Sequence, residues 1–208
     1  MAPSRNASTS FPPFLALLVV LLVVVSTQAA AGAGSEGGGE TMTQLHFYFH
    51  ERFAAGGAEN ATIAMVAPGR ADGTGGATFG FGFVGVMDDA LREGLETSSG
   101  LVGRAQGLAA TASLGGGELL TAFNLVFTCR SYNGSTLAVL GRAPLAVMGR
   151  DLGDQVMERA VVGGTGAFRM ARGYTLSRPV KSPEPESLFV LEFDVYVWHQ
   201  EVADHAGK

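Results

Sequence analysis

Residues 187–198 read SLFVLEFDVYVW, and their alternation leaves few options. Phe189, Leu191, Phe193, Val195 and Val197 fall on one side of an extended chain, and Leu188, Val190, Glu192, Asp194, Tyr196 and Trp198 on the other. A period of two built from β-branched and aromatic residues excludes an amphipathic helix and specifies a strand with one face on a core. The rest of the chain repeats this in shorter form. Roughly eight to ten strand-like segments are divided by short turns, many of them drawn from the 30 glycines, the pattern of an antiparallel sandwich or barrel. Asn133-Gly134 predicts a hairpin between 119–128 and 135–141. No long amphipathic helix is evident, although 147–157 has room for a short one. The expectation is a single all-β domain.

The two ends are a separate matter. Arg5, the apolar run Leu15 to Val25 and the small residues Ala29 to Ala31 make 1–31 a secretory signal peptide, too short in its apolar part for a comfortable membrane span. Residues 32–44 open with GAGSEGGGE and read as a flexible leader, 45–200 as the folded domain and 201–208 as a tail. No later run is comparably apolar, so a soluble product outside the membrane is expected. The net charge of −5 carries no basic cluster, which argues against nucleic acid as a partner. One cysteine, Cys129, rules out an intrachain disulfide and reads as a small buried hydrophobe. Asn60-Ala61-Thr62 and Asn133-Gly134-Ser135 are acceptor sequences for N-glycosylation, consistent with a secreted surface.

The segment 45–51, LHFYFHE, places Phe47, Phe49 and Glu51 on one strand face and His46, Tyr48 and His50 on the other. Rings on both faces suggest a strand covered on both sides, the outer one by a second subunit. Glu51 is the most informative charge. A carboxylate among aromatic rings is desolvated, which raises its pKa and makes it a usable proton donor. The stretch 79–107 reads as a strand, a polar loop holding Asp88, Asp89, Glu93 and Glu96, and a second strand whose Gly103 and Gly107 allow close backbone approach. Asp88-Asp89 is read as a hydrogen-bonded loop cap, with Arg104 or Arg172 available to pair with one of the acids. Gly80 to Gly85 has the glycine spacing of a dinucleotide loop, but the residues after Gly85 do not look helical, so no cofactor is expected. His46 and His50 lack a third ligand and no serine sits in a nucleophile elbow, so neither a metal nor a covalent mechanism is expected.

Four stretches in order resemble the plant dirigent protein family. They are Phe47-Tyr48-Phe49-His50-Glu51; Val86-Met87-Asp88-Asp89 running to Ser98-Ser99 and Val102-Gly103-Arg104-Ala105-Gln106-Gly107; Tyr132 to Leu137 with Gly141-Arg142; and VVGGTGAFRMARGY at 161–174. The resemblance implies an eight-stranded antiparallel barrel of the calycin or allene-oxide-cyclase kind, assembled as a homotrimer and open at one end. It implies a ligand of the phenolic class: phenoxy radicals or quinone methides derived from monolignols, made by a separate oxidase such as a laccase or peroxidase in the apoplast. Three departures stand out. Glu51 replaces the usual aspartate, Leu108, Ala109 and Ala110 stand where aromatics commonly follow GRAQG, and Met157 occupies the usual arginine position, with Arg159 displaced from it. The segment 141–160 also looks longer than usual, and Asp151 and Asp154 are the candidates for the family's pocket aspartate.

The first functional reading is a binding protein that orients such intermediates for stereoselective coupling in lignan biosynthesis without chemistry of its own. Glu51 then bonds a phenol or quinone oxygen, Phe47 and Phe49 line the pocket, and Arg142 or Arg172 gives polar support. In the second reading the barrel is a dehydratase or cyclase acting on closed-shell phenolics, with Glu51 as the general acid. The third is a structural or defence barrel with a vestigial pocket.

Overall fold

The structure is a computed structural model that describes residues 39–53, 58–70, 79–115, 117–129, 132–144, 155–184 and 188–200. Among the described residues nine strands carry it: β1 (Glu40–Arg52), β2 (Ile63–Ala67), β3 (Val84–Arg92), β4 (Leu101–Thr111), β5 (Glu118–Phe127), β6 (Thr136–Pro144), β7 (Met157–Thr165), β8 (Arg172–Val180) and β9 (Leu188–Gln200). Each pairs antiparallel with its neighbour in the order β1-β9-β8-β7-β6-β5-β4-β3-β2, and a further β1–β3 pairing joins the ends. Eight strands thus close into a barrel, and β2 is an extra edge strand beside β3. Closure removes the unpaired edges that an open sheet would present.

The period-two faces decide what lies inside. On β1, Thr43, Leu45, Phe47, Phe49 and Glu51 are buried, every second residue. On β9 the same alternation buries Leu191, Phe193, Val195, Val197 and His199. The two strands run together from Glu40↔Gln200 to Arg52↔Leu188, the longest ladder in the barrel. Phe47 stacks on Phe193 at 5.8 Å between ring centroids and meets Phe127 edge-on at 6.3 Å. Each such ring removed from water contributes about 1.5–3 kcal/mol. Gly103 and Gly107 of β4 lie against the carbonyls of Val126 and Ala122 on β5, so closely that a Cβ at either would collide with that backbone.

Four expectations need correction. The first strand begins at Glu40, five residues before Leu45, because the pairing with β9 continues to Gln200. Asp88 and Asp89 do not cap a loop: β3 continues through them to Arg92, paired with β4 along its length. Of the segment 147–157, which had room for a short helix, residues 147–154 lie outside the described residues, as do Asp151 and Asp154, and Met157 is the first residue of β7. Cys129 is half-buried rather than buried.

Candidate functional site: a buried acid pair and a buried cation

The barrel is closed at its weakest ladder. β1 and β3 share only the pairs Tyr48↔Arg92, Phe49↔Leu91 and His50↔Ala90. Beyond His50 the strands part, and β2 takes over the edge of β3 at Ile63↔Met87. At this fork two carboxyls stand side by side, Glu51 as the next inward residue after Phe49 and Asp89 as the next inward residue before Leu91. Glu51 is 4% exposed and Asp89 0%. Alternation explains the split between the neighbouring aspartates: Asp88 points out to an ion pair with Arg104 and a 3.1 Å bond from Gln106, while Asp89 points in.

Burial raises both acids. Loss of water pushes Glu51 up to about 7. Asp89 is pushed up to about 9, first by burial and then by the adjoining Glu51 charge, with the Thr62 hydrogen bond pulling the other way. Two acids this close titrate as a pair. Near neutral pH the pair therefore retains a proton, which makes it a hydrogen-bond donor and an acid. Glu51 Oε1 and Asp89 Oδ2 are buried and accept no hydrogen bond among the described residues.

The rim around the pair is tied by side chains. Thr62 Oγ1 bonds Asp89 Oδ1, and the Arg52 N–H donates to Thr62 Oγ1 at 2.8 Å. Arg52 also pairs with Glu184 at 3.0 Å, which accepts the Thr97 hydroxyl at 3.1 Å. His50, on the opposite face of β1 from Glu51, is buried and donates from Nε2 to the Gly94 carbonyl at 3.0 Å. Burial lowers its pKa and favours the neutral ring.

On another wall lies a buried cation. Arg159 of β7 is 4% exposed. In the strand order β7 is three steps from β1 and four from β3, so Arg159 stands on the wall opposite the strands of the acid fork. Its Nε donates to Thr121 Oγ1 at 3.0 Å, Nη1 to Ser177 Oγ at 2.8 Å and Nη2 to Met157 Sδ at 3.6 Å. The guanidinium lies 6.0 Å from the Phe123 ring and 5.9 Å from the Phe193 ring. Phe49 stacks on Phe193 at 5.7 Å, so the aromatic floor links the cation to the acid strand. Burial pushes Arg159 down to about 10, still charged at neutral pH. Its partners among the described residues are hydroxyls, a thioether and rings. A buried cation without a carboxylate is costly, and an anionic oxygen on a ligand would complete it.

Phe47, Phe49 and Glu51 are brought into this interior. Arg142 and Arg172 are not. Arg142 faces outward beside the inward Ala143 and pairs with Glu118; Arg172 pairs with Glu40 on the outer surface. Asn60 and Asn133 are both exposed. The glycine-spaced segment 80–85 passes through a turn into β3, with no helix terminus to receive a pyrophosphate. Sequence reasoning passed over Asp89 and Arg159 as site residues. The signal for each was present: Met87-Asp89-Leu91 and Met157-Arg159-Val161 both place a charge inside an apolar period-two face.

The comparisons with known proteins agree with this architecture. The family described as dirigent-like protein matches residues 42–198. The chain belongs to the dirigent family. Dirigent protein 21 of Arabidopsis thaliana is 41% identical over 160 residues, which cover 77% of this chain and 78% of that protein. Pterocarpan synthase 1 of Glycine max is 37% identical over 160 residues, 77% of this chain and 80% of its own. A solved pterocarpan synthase dirigent protein superposes with a TM-score of 0.65 at 34% identity, covering 81% of this chain and 91% of that one. Among dirigent relatives, then, are proteins named as synthases.

Proposed function

We propose that this dirigent protein acts on phenolic substrates inside the barrel, with the Glu51–Asp89 pair as proton donor, in a dehydration or ring closure that passes through a quinone methide. The observation that carries the reading is the side-by-side burial of two carboxyls, each with an oxygen that accepts no bond from the described residues. A neutral carboxyl protonates a benzylic hydroxyl, and the C–O bond breaks with its electron pair leaving on water. Loss of the proton from the conjugated phenol then gives the quinone methide. Arg159 favours the ionised form of that phenol and so eases loss of its proton to water, and the rings of Phe49, Phe123 and Phe193 hold the aromatic framework. Similarity to pterocarpan synthases supports this choice over pure orientation.

The test is incubation with a p-hydroxybenzylic alcohol carrying a second phenol, with no oxidant present. Dehydrated or cyclised product that depends on the protein, and that is lost in E51Q, is the expected result. No turnover above the uncatalysed rate would overturn the acid role.

A second reading is favoured by Arg159. A cation seated among rings can bind a phenoxy or quinone oxygen with no proton transfer, so the barrel would orient monolignol-derived radicals made by a laccase or peroxidase and give stereoselective coupling to lignans. Enantiomeric excess in coniferyl alcohol coupling that requires both oxidase and protein distinguishes it. In either case the proposed setting is the apoplast, reached by secretion, with glycans on Asn60 and Asn133.

A homo-oligomer is also proposed, and an apolar row on the outer surface supports it. Ala64, Val86, Leu108, Ala122, Leu140 and Ala160 align in register across β2 to β7. Val86, Leu108 and Leu140 in that row are 49%, 41% and 43% exposed. An apolar belt of this kind is a surface for a second copy. The outer face of β1, by contrast, carries His46 bonded to Asp194 at 2.9 Å and is more polar.

A further inference from the structure

Four hydrogen bonds meet at Thr62. Its N–H donates to the Arg52 carbonyl at 2.9 Å, and its own carbonyl accepts the Asp88 N–H at 2.8 Å. Its hydroxyl accepts the Arg52 N–H at 2.8 Å and gives its proton to Asp89 Oδ1. The backbone of Thr62 therefore bridges β1 to β3 where their direct ladder has ended, and the side chain fixes one carboxyl of the acid pair. A hydroxyl has a single proton to donate. Because the Arg52 amide approaches as a donor, that proton is directed to the carboxylate.

We propose that Thr62 is a positioning residue for the acid pair: its hydroxyl occupies Asp89 Oδ1, stops the carboxyl from rotating, and leaves Oδ2 as the oxygen through which Asp89 works. The assignment rests on the acid role given above to Glu51 and Asp89, but its structural content can be tested without turnover. The groups that act on Asp89 are Glu51 from β1, Asp88 beside it on β3 and Arg104 from β4. None of these is altered by a change at position 62. A hydrogen bond to the ionised carboxylate favours ionisation, so its loss has a definite sign.

Thr62 is also the hydroxyl residue of the Asn60-Ala61-Thr62 acceptor sequence, so any substitution that removes the hydroxyl also removes a glycan. The experiment separates the two. The Asp89 carboxyl carbon is followed by NMR against pH in the wild type, T62V, T62S and N60Q. T62V should titrate higher by about one pH unit. T62S, which keeps the hydroxyl, should return the midpoint to the wild-type value, and N60Q should leave it unmoved. An unshifted T62V midpoint, or an N60Q midpoint that moves as far as T62V, overturns the proposal. In the wild type alone, the Thr62 hydroxyl proton should be protected from solvent exchange and should shift with the Asp89 midpoint. A freely exchanging proton overturns the proposal even where T62V does not fold. Failure of the proposed chemistry appears instead as absent turnover with these titrations intact.

Discussion

Gly141 lies against the stem of Arg159: a Cβ built on Gly141 would stand 2.7 Å from Arg159 Cγ and 3.0 Å from its Cα. The two residues are register partners on β6 and β7, so the missing side chain of one is the space used by the other. G141A should force Arg159 off its bonds to Thr121 and Ser177, at a cost of about 1–3 kcal/mol from overpacking. A urea midpoint unchanged from the wild type would show that the guanidinium has room to give way.

Arg159 itself is held at a cost, with no carboxylate among its hydrogen-bond partners in the described residues. R159M keeps the apolar stem and drops the buried charge. Replacing buried charge by a well-packed apolar side chain is neutral or stabilising, by about 1 kcal/mol or more. The expected result is a Tm equal to or above that of the wild type together with lost phenolic binding in calorimetry. A large fall in Tm would instead assign Arg159 a structural role.

The acid pair makes stability depend on pH with a definite sign. Both carboxyls have raised folded-state values, so the folded chain binds more protons than the unfolded chain through the intervening window. Stability from this source is full below about 4 and is lost as pH rises toward about 7 for Glu51 and about 9 for Asp89. Glu40 and Glu184, lowered by their bonds to Arg172 and Arg52, contribute in the opposite direction at acid pH. The informative quantity is therefore the wild-type urea midpoint minus that of E51Q/D89N at each pH. It should fall steadily from pH 5 to pH 9, and a flat difference would remove the pair from the account.

The two acceptor sequences should not respond alike to the two ways of destroying them. Ser135 is buried and its Oγ accepts the Ala167 N–H at 3.0 Å, as Thr62 is tied to Asp89. N133Q takes away only an exposed amide and should leave Tm near the wild type of the same glycan state. S135A strands the Ala167 amide and should cost about 1–3 kcal/mol. Equal Tm values for the two variants would mean that the Ser135 bond contributes nothing.

The belt on β3 to β6 gives a test of assembly. L108K/L140E introduces charges into the row shared with Val86 and Ala122. Static light scattering should show the wild type as an oligomer and the variant as a monomer with the same circular dichroism. Retention of the oligomer would place the interface elsewhere on the barrel.

The legible and the hidden parts of the sequence divide along one physical line. Local alternation was readable: Phe47, Phe49 and Glu51 share the face expected, and the hairpin at Asn133-Gly134 joins β5 to β6. Charged residues within a strand were harder to read. Polar density from 88 to 99 resembled a loop, and only pairing with β4 shows that Asp89 sits inside an extended strand. Arg142 drew attention by its neighbour Gly141, yet parity turns Arg142 outward and gives the interior place to Arg159 from the next strand. Which residues meet across the barrel is set by register and closure, and these are properties of distant segments that a local pattern does not contain.

The long β1–β9 ladder has a practical consequence. Glu40 pairs with Gln200 at one extremity and Glu51 with Phe189 near the other, so both outer strand ends emerge together, roughly 35 Å along the strands from the acid fork. Affinity tags, fluorophores or surface tethers attached before Glu40 or after Gln200 therefore start at the opposite pole. The barrel can be immobilised through either of these strand ends with the acid fork at the far end.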